Sequence, residues 1–166
     1  MKNAIVYSSR TGNTRLLAET VRKALPEDSI VYFGEPNSKA LEADRIYVGF
    51  WTDKGTCDSV TADFLNIIED REVFFFGTAG FGGDPEYFEK ILKRTEKHLK
   101  KSVKVVGSFF CQGKMPMSVR ERYENMLKNP VHMPGLENMI RNFDQALTHP
   151  DTQDLQNAEE AVKASL

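Results

Sequence analysis

The chain is short of cysteine, has no long apolar run and carries no large excess of either charge. Each shortage removes a class of function. Cys57 and Cys111 are the only cysteines among 166 residues and form no CxxC pair, so a disulfide framework is not expected. The longest apolar stretches, such as Val73 to Phe76, are far too short to span a bilayer. The opening Met1-Lys2-Asn3-Ala4-Ile5-Val6-Tyr7 lacks the extended apolar segment of a secretory signal. With thiols read as reduced, these absences point to a cytoplasmic protein without membrane insertion. A formal charge of -2 argues against nucleic acid as a partner. His98, His132 and His149 share no metal-ligand spacing, so no metal is expected. Neither GxxxxGK followed by Ser or Thr nor GxGxxG occurs, which removes the common triphosphate and dinucleotide loops.

What is present alternates between β-prone and helical patterns. Ala4 to Tyr7, Ile30 to Phe33, Ile46 to Phe50, Val73 to Phe76 and Val103 to Phe110 are apolar at most positions, as strands covered on both faces must be. Between them, Leu17, Val21, Ala24 and Leu25 recur at helical spacing, as do Ala62, Leu65 and Ile68. Asp84-Pro85-Glu86 combines a capping side chain, a proline at the first helical position and an acid in the first turn. Phe88, Ile91, Leu92, Thr95 and Leu99 then fall on one face. The pattern predicts one α/β domain over 1–166, a three-layer sandwich around a five-stranded parallel sheet. Helices are expected over 118–128, 136–148 and 151–166. The last two form a peripheral C-terminal extension (136–166) with Leu155, Ala158 and Val162 on one stripe.

In an open parallel sheet, ligands bind beyond the carboxyl ends of the strands. The loop after the first strand gathers Ser8, Ser9, Arg10, Thr11, Gly12, Asn13 and Thr14 directly before a helix. Hydroxyls, free backbone N–H groups and the positive helix end then converge on one anion, and a terminal monophosphate fits best. Any one of these residues alone would be an ordinary turn or cap. After the third strand comes the loop Trp51-Thr52-Asp53-Lys54-Gly55-Thr56-Cys57, with the only tryptophan at its tip. After the fourth comes Gly77-Thr78-Ala79-Gly80-Phe81-Gly82-Gly83, where glycines let the backbone approach a flat ligand. Trp51 and Phe81 can sandwich a planar heterocycle whose edge is read by backbone groups of Thr78, Ala79 and Gly80; taken singly, Trp51 is equally read as a core aromatic, and the surrounding glycines favour the ligand. Cys57 sits near a helix start, a place that lowers a thiol pKa, but it and Cys111 are read first as small apolar fillers, with a redox role for the thiols the lesser alternative. Lys114, Arg120 and Arg122 place positive charge after the fifth strand, read as a solvated helix face.

Ser9-Arg10-Thr11-Gly12-Asn13-Thr14 resembles the flavodoxin phosphate loop, Ser/Thr-x-Thr-Gly-x-Thr, and the pattern over about residues 3 to 128 is similar to that family's fold. The resemblance implies FMN, electron transfer to or from a partner redox enzyme, and strand order 2-1-3-4-5. The cofactor residues it implies are Ser9, Arg10, Thr11, Gly12, Asn13, Thr14, Trp51, Thr52, Lys54, Gly55, Thr78, Ala79, Gly80, Phe81 and Gly82. Lys54 departs from the acids that usually surround the flavin. A cation there favours added negative charge on the ring and raises its potential. Segments 49–58 and 109–116, with His149-Pro150-Asp151, resemble a subgroup of anaerobe flavodoxin-like proteins accessory to bilin or bilirubin reductases. The alternative is an FMN-dependent reductase acting directly on a quinone- or tetrapyrrole-like substrate with NAD(P)H. A non-redox receiver domain ranks last, because it would need acids where this loop carries hydroxyls.

Overall fold

A computed structural model describes all residues, 1–166. The strands are β1 (Asn3–Tyr7), β2 (Ile30–Gly34), β3 (Arg45–Asp53), β4 (Thr56–Cys57), β5 (Glu72–Ala79) and β6 (Lys104–Gln112). The helices are α1 (Asn13–Ala24), α2 (Ser59–Leu65), α3 (Pro85–Glu96), α4 (Met117–Leu127), α5 (Leu136–Ala146) and α6 (Thr152–Ala164). The sheet runs β2-β1-β3-β5-β6, which is the expected order of its five long parallel strands. The short β4 pairs antiparallel with the end of β3.

Alternation along the strands divides the core in two. Ala4, Val6, Ile46, Val48, Val73 and Phe75 face α2 and α3, where Phe64, Leu65 and Ile91 are buried. Ile5, Tyr47, Phe74 and Phe76 face α1, where Leu17, Ala18 and Val21 are buried. The helix at the end of the chain joins this second core. Ala158 and Val162 of α6 are almost fully buried in it, so the segment expected at the periphery completes the layer beside α1. Small alanines on the inner face let α6 lie close to α1 and β6.

Two polar anchors fix α6. At its start, Asp151 and Asp154 form a reciprocal capping box. At its end, Arg45 donates to the Ser165 carbonyl at 2.6 Å while pairing with Glu72 at 2.7 Å.

The three glycines within β3, β5 and β6 each stand directly opposite a phenylalanine: Gly49 opposite Phe76, Gly77 opposite Phe110, Gly107 opposite Phe74. A Cβ on Gly49 would fall 2.2 Å from Phe76 Cε2, and one on Gly107 would fall 2.8 Å from Phe74. The rings therefore lie across bare backbone, which is how a run of three phenylalanines fits one strand. Gly49→Ala should destabilise the fold by about 1–3 kcal/mol through overpacking. In urea titrations, Phe76→Leu should make that substitution cheaper, so the double variant loses less than the sum of the singles. Strict additivity would show that the ring does not fill the glycine's space.

Candidate functional site

The loops after β1, β3, β5 and β6 meet at the carboxyl edge of the sheet. The first is built around Gly12, whose φ of 93° turns the chain into α1. Helices α2, α3 and α6 are capped by Asp58, Asp84 and Asp151, whereas α1 has no side-chain cap and no acid in its first turn. Ser9 Oγ accepts the N–H of Gly12 at 3.1 Å and that of Arg15 at 3.4 Å. Within the protein, the N–H groups of Asn13 and Thr14 have no backbone acceptor. Thr14 is 1% exposed, yet its Oγ1 has no hydrogen-bond partner. A buried hydroxyl left unmatched costs about 1–3 kcal/mol. Beside a free helix N-terminus, it marks a seat for an external acceptor.

Neighbouring loops hold this seat in place. Asn13 Nδ2 donates to the Lys114 carbonyl at 2.9 Å, and Lys114 N–H donates to the His149 carbonyl at 2.9 Å. Gly113 permits the approach, since a Cβ there would lie 2.6 Å from Asn13 Nδ2. A cleft of about 460 Å³ beside the loop is lined by Thr11, Gly12, Asn13, Lys114, Thr148 and His149. A larger one, about 570 Å³, lies between α4 and the 129–133 segment and includes none of the expected cofactor residues.

The segment after β3 differs from expectation. Trp51 and Thr52 belong to β3, and Trp51 pairs with Thr78. Only Lys54 and Gly55 form a turn, with φ of 52° and 82°, and the chain returns through β4. The indole is therefore carried on a strand and not on a loop tip. Arg94 donates to the Gly55 carbonyl at 3.3 Å, tying the turn to α3.

Thr78 and Ala79 likewise lie inside β5. Their carbonyls accept from Thr52 Oγ1 at 2.9 Å and Gly113 N–H at 3.1 Å. Gly80 lies under Met115, Gly82 takes a φ of 97°, and Phe81 is 45% exposed. Gln112, at the end of β6, has a buried Nε2 without a partner, close to Gly83. Only its place at the strand end hinted at it in the sequence.

Neither thiol is activated. Burial pushes the Cys57 thiol up, with the charge of Asp58 adding to the effect, as fits a small apolar filler. Burial likewise raises Cys111, with Asp154 and Asp151 adding to the effect. His149, Asp151 and Asp154 gather within 4.8 Å, but the two carboxylates accept each other's backbone N–H. Arg120 bonds Asp144 at 2.8 Å, joining α4 to α5, and this interaction holds the Asp144 carboxyl below its usual range.

The model of the flavodoxin domain matches residues 4–163. The chain belongs to the flavodoxin family. A flavodoxin-like domain-containing protein, BilS, of Clostridium symbiosum (strain WAL-14163) is 43% identical over 172 residues, covering 93% of this chain and 90% of the relative. BilS of Clostridioides difficile (strain CD3) is 30% identical over 165 residues, with 95% and 92% covered. Among solved structures, two-electron-reduced Megasphaera elsdenii flavodoxin matches with a TM-score of 0.51 at 20% identity, over 87% of this chain and 99% of that one. An archaeal flavodoxin also gives 0.51, at 17% identity over 99% and 96%. FMN is the cofactor of the flavodoxin domain. The uncapped α1 and the unpartnered Thr14 hydroxyl fit its phosphate.

Thr14→Val removes an unmatched buried hydroxyl at nearly constant volume. The apoprotein should gain up to about 1 kcal/mol in urea unfolding while FMN affinity falls. Equal loss of stability in the apo and FMN-bound forms would show that the hydroxyl serves the fold instead.

Proposed function

We propose that this flavodoxin-family protein binds FMN and passes electrons to or from a partner redox enzyme in the cytoplasm. The carrying observation is the N-terminus of α1, left without a cap beside the unpartnered Thr14 hydroxyl. The hydroxyls of Ser9, Thr11 and Thr14, with the free N–H groups of Asn13 and Thr14 beyond the Gly12 turn, would hold the phosphate dianion. Trp51 and Phe81 would flank the ring and exclude water. Thr52, Lys54, Gly55, Ala79, Gly80 and Gly82 would line its edges. When bound, the flavin supplies a reversible store of electrons, and the protein's part is orientation and tuning. The positive charge of Lys54 favours negative charge on a reduced ring, which supports a potential above that of very low-potential carriers.

Two features support a carrier over a stand-alone reductase. The chain carries no GxGxxG segment for a nicotinamide cofactor. It also matches BilS proteins over nine-tenths of their length, so the relatives are equally small single domains. Flavodoxin-like proteins generally work by docking on larger redox proteins. The subgroup resemblance makes a tetrapyrrole reductase the partner class to try first.

Protein purified from cells should be yellow and release FMN in about equimolar amount. Thr11→Ala should weaken FMN retention roughly 10- to 150-fold, the effect of one hydrogen bond to a charged group. The holoprotein alone should not turn over NAD(P)H with a quinone or tetrapyrrole. Sustained turnover without a partner protein would replace the carrier by the reductase, and a chain that stays colourless on reconstitution would remove both.

A further inference from the structure

Arg10 is the one cation in the phosphate loop, and it makes neither an ion pair nor a hydrogen bond within the protein. Its guanidinium carbon instead lies 5.5 Å from the centroid of the Trp51 ring. Five residues on, Arg15 puts a second cation in the first turn of α1, where the helix dipole disfavours positive charge and no acid compensates. A local rule broken in this way is explained by an anion that arrives from outside. Arg10 has a further consequence that Arg15 lacks. The backbone of Trp51 is fixed by pairing with Thr78, so the rotation of its indole is the freedom that remains. The weakly hydrated guanidinium over the ring, within cation–π range, biases that rotation. The backbone of Arg10 follows Ser9, whose hydroxyl bridges to Gly12 and Arg15, so the loop that seats the anion also aims the guanidinium.

We propose that Arg10 is a positioning residue that couples the two halves of the cofactor site. Its charge opposes the phosphate, and its cation–π attraction holds Trp51 ready for the ring. This rests on FMN being the cofactor. The two roles separate chemically, because lysine keeps the charge but is a compact, strongly hydrated ammonium that lacks the weakly hydrated guanidinium face, and riboflavin has the ring but no phosphate. Arg10 is exposed, so substitution spares the core.

The test titrates apoprotein with FMN and with riboflavin, following flavin fluorescence, in the wild type, Arg10→Ala and Arg10→Lys. Arg10→Ala should bind FMN at least about tenfold more weakly and riboflavin about two- to fivefold more weakly. Arg10→Lys should keep the wild-type preference for FMN over riboflavin, yet bind riboflavin as weakly as Arg10→Ala. Emission of Trp51, the only tryptophan, should shift to the red in both apo variants as water reaches the ring. The proposal is overturned if Arg10→Ala leaves riboflavin affinity and Trp51 emission unchanged, or if Arg10→Lys restores every reading. A wild type that binds neither flavin overturns the cofactor reading itself. A wild type that binds FMN no better than Arg10→Ala does overturns this inference alone.

Discussion

The sheet depends on phenylalanine rings lying across glycine backbone. Phe74 and Phe76 belong to the α1 and α6 core and take the space opposite Gly107 and Gly49, while Phe110, packed against the α2 and α3 core, covers Gly77. Aromatic bulk is thereby brought flush with neighbouring strands, and helices can close on both faces. A parallel sheet covered on both faces needs long crossovers, and these return every chain connection after β1, β3, β5 and β6 to the same edge. The site is a consequence of that traffic. Four loops distant in sequence meet where the strands end.

At that edge, polar groups are satisfied unevenly. The acids that cap α2, α3 and α6 are spent inside the protein, as are most carboxylates near the arginines. α4 and α5 also lack side-chain caps, but at the start of α1 several open groups lie together: the N–H groups of Asn13 and Thr14, the Thr14 hydroxyl, and the charges of Arg10 and Arg15. An account of α1 as a mere structural helix would leave these groups unexplained. An anion resolves all of them together, and the phosphate of FMN is the anion that the family carries.

Much of this was legible in the sequence because it rests on local chemistry. Asp84-Pro85-Glu86 starts α3 as its capping pattern requires, and the five apolar runs are the five long strands in the expected order. The hydroxyl-rich loop is recognisable because its residues are contiguous. Trp51 was less legible. Polar Thr52 and Asp53 make the end of β3 resemble a loop, and only pairing with β5 and β4 extends the strand. The place of α6 in the core was hidden for a similar reason, since small Ala158 signals burial weakly and its partners Ile5 and Leu17 lie far away in the chain. Arg10 over Trp51, Asn13 on Lys114 and the unmatched Gln112 amide are long-range relations that spacing cannot encode.

The open N-terminus of α1 is the proposed seat of a phosphate. Amide chemical shifts recorded while FMN is titrated into ¹⁵N-labelled apoprotein test it most directly. The expected result is large, saturable downfield amide-proton shifts at Asn13 and Thr14, whose N–H groups are free, which riboflavin, lacking the phosphate, does not reproduce. Perturbations that spare these two amides, or that riboflavin reproduces in full, would contradict it.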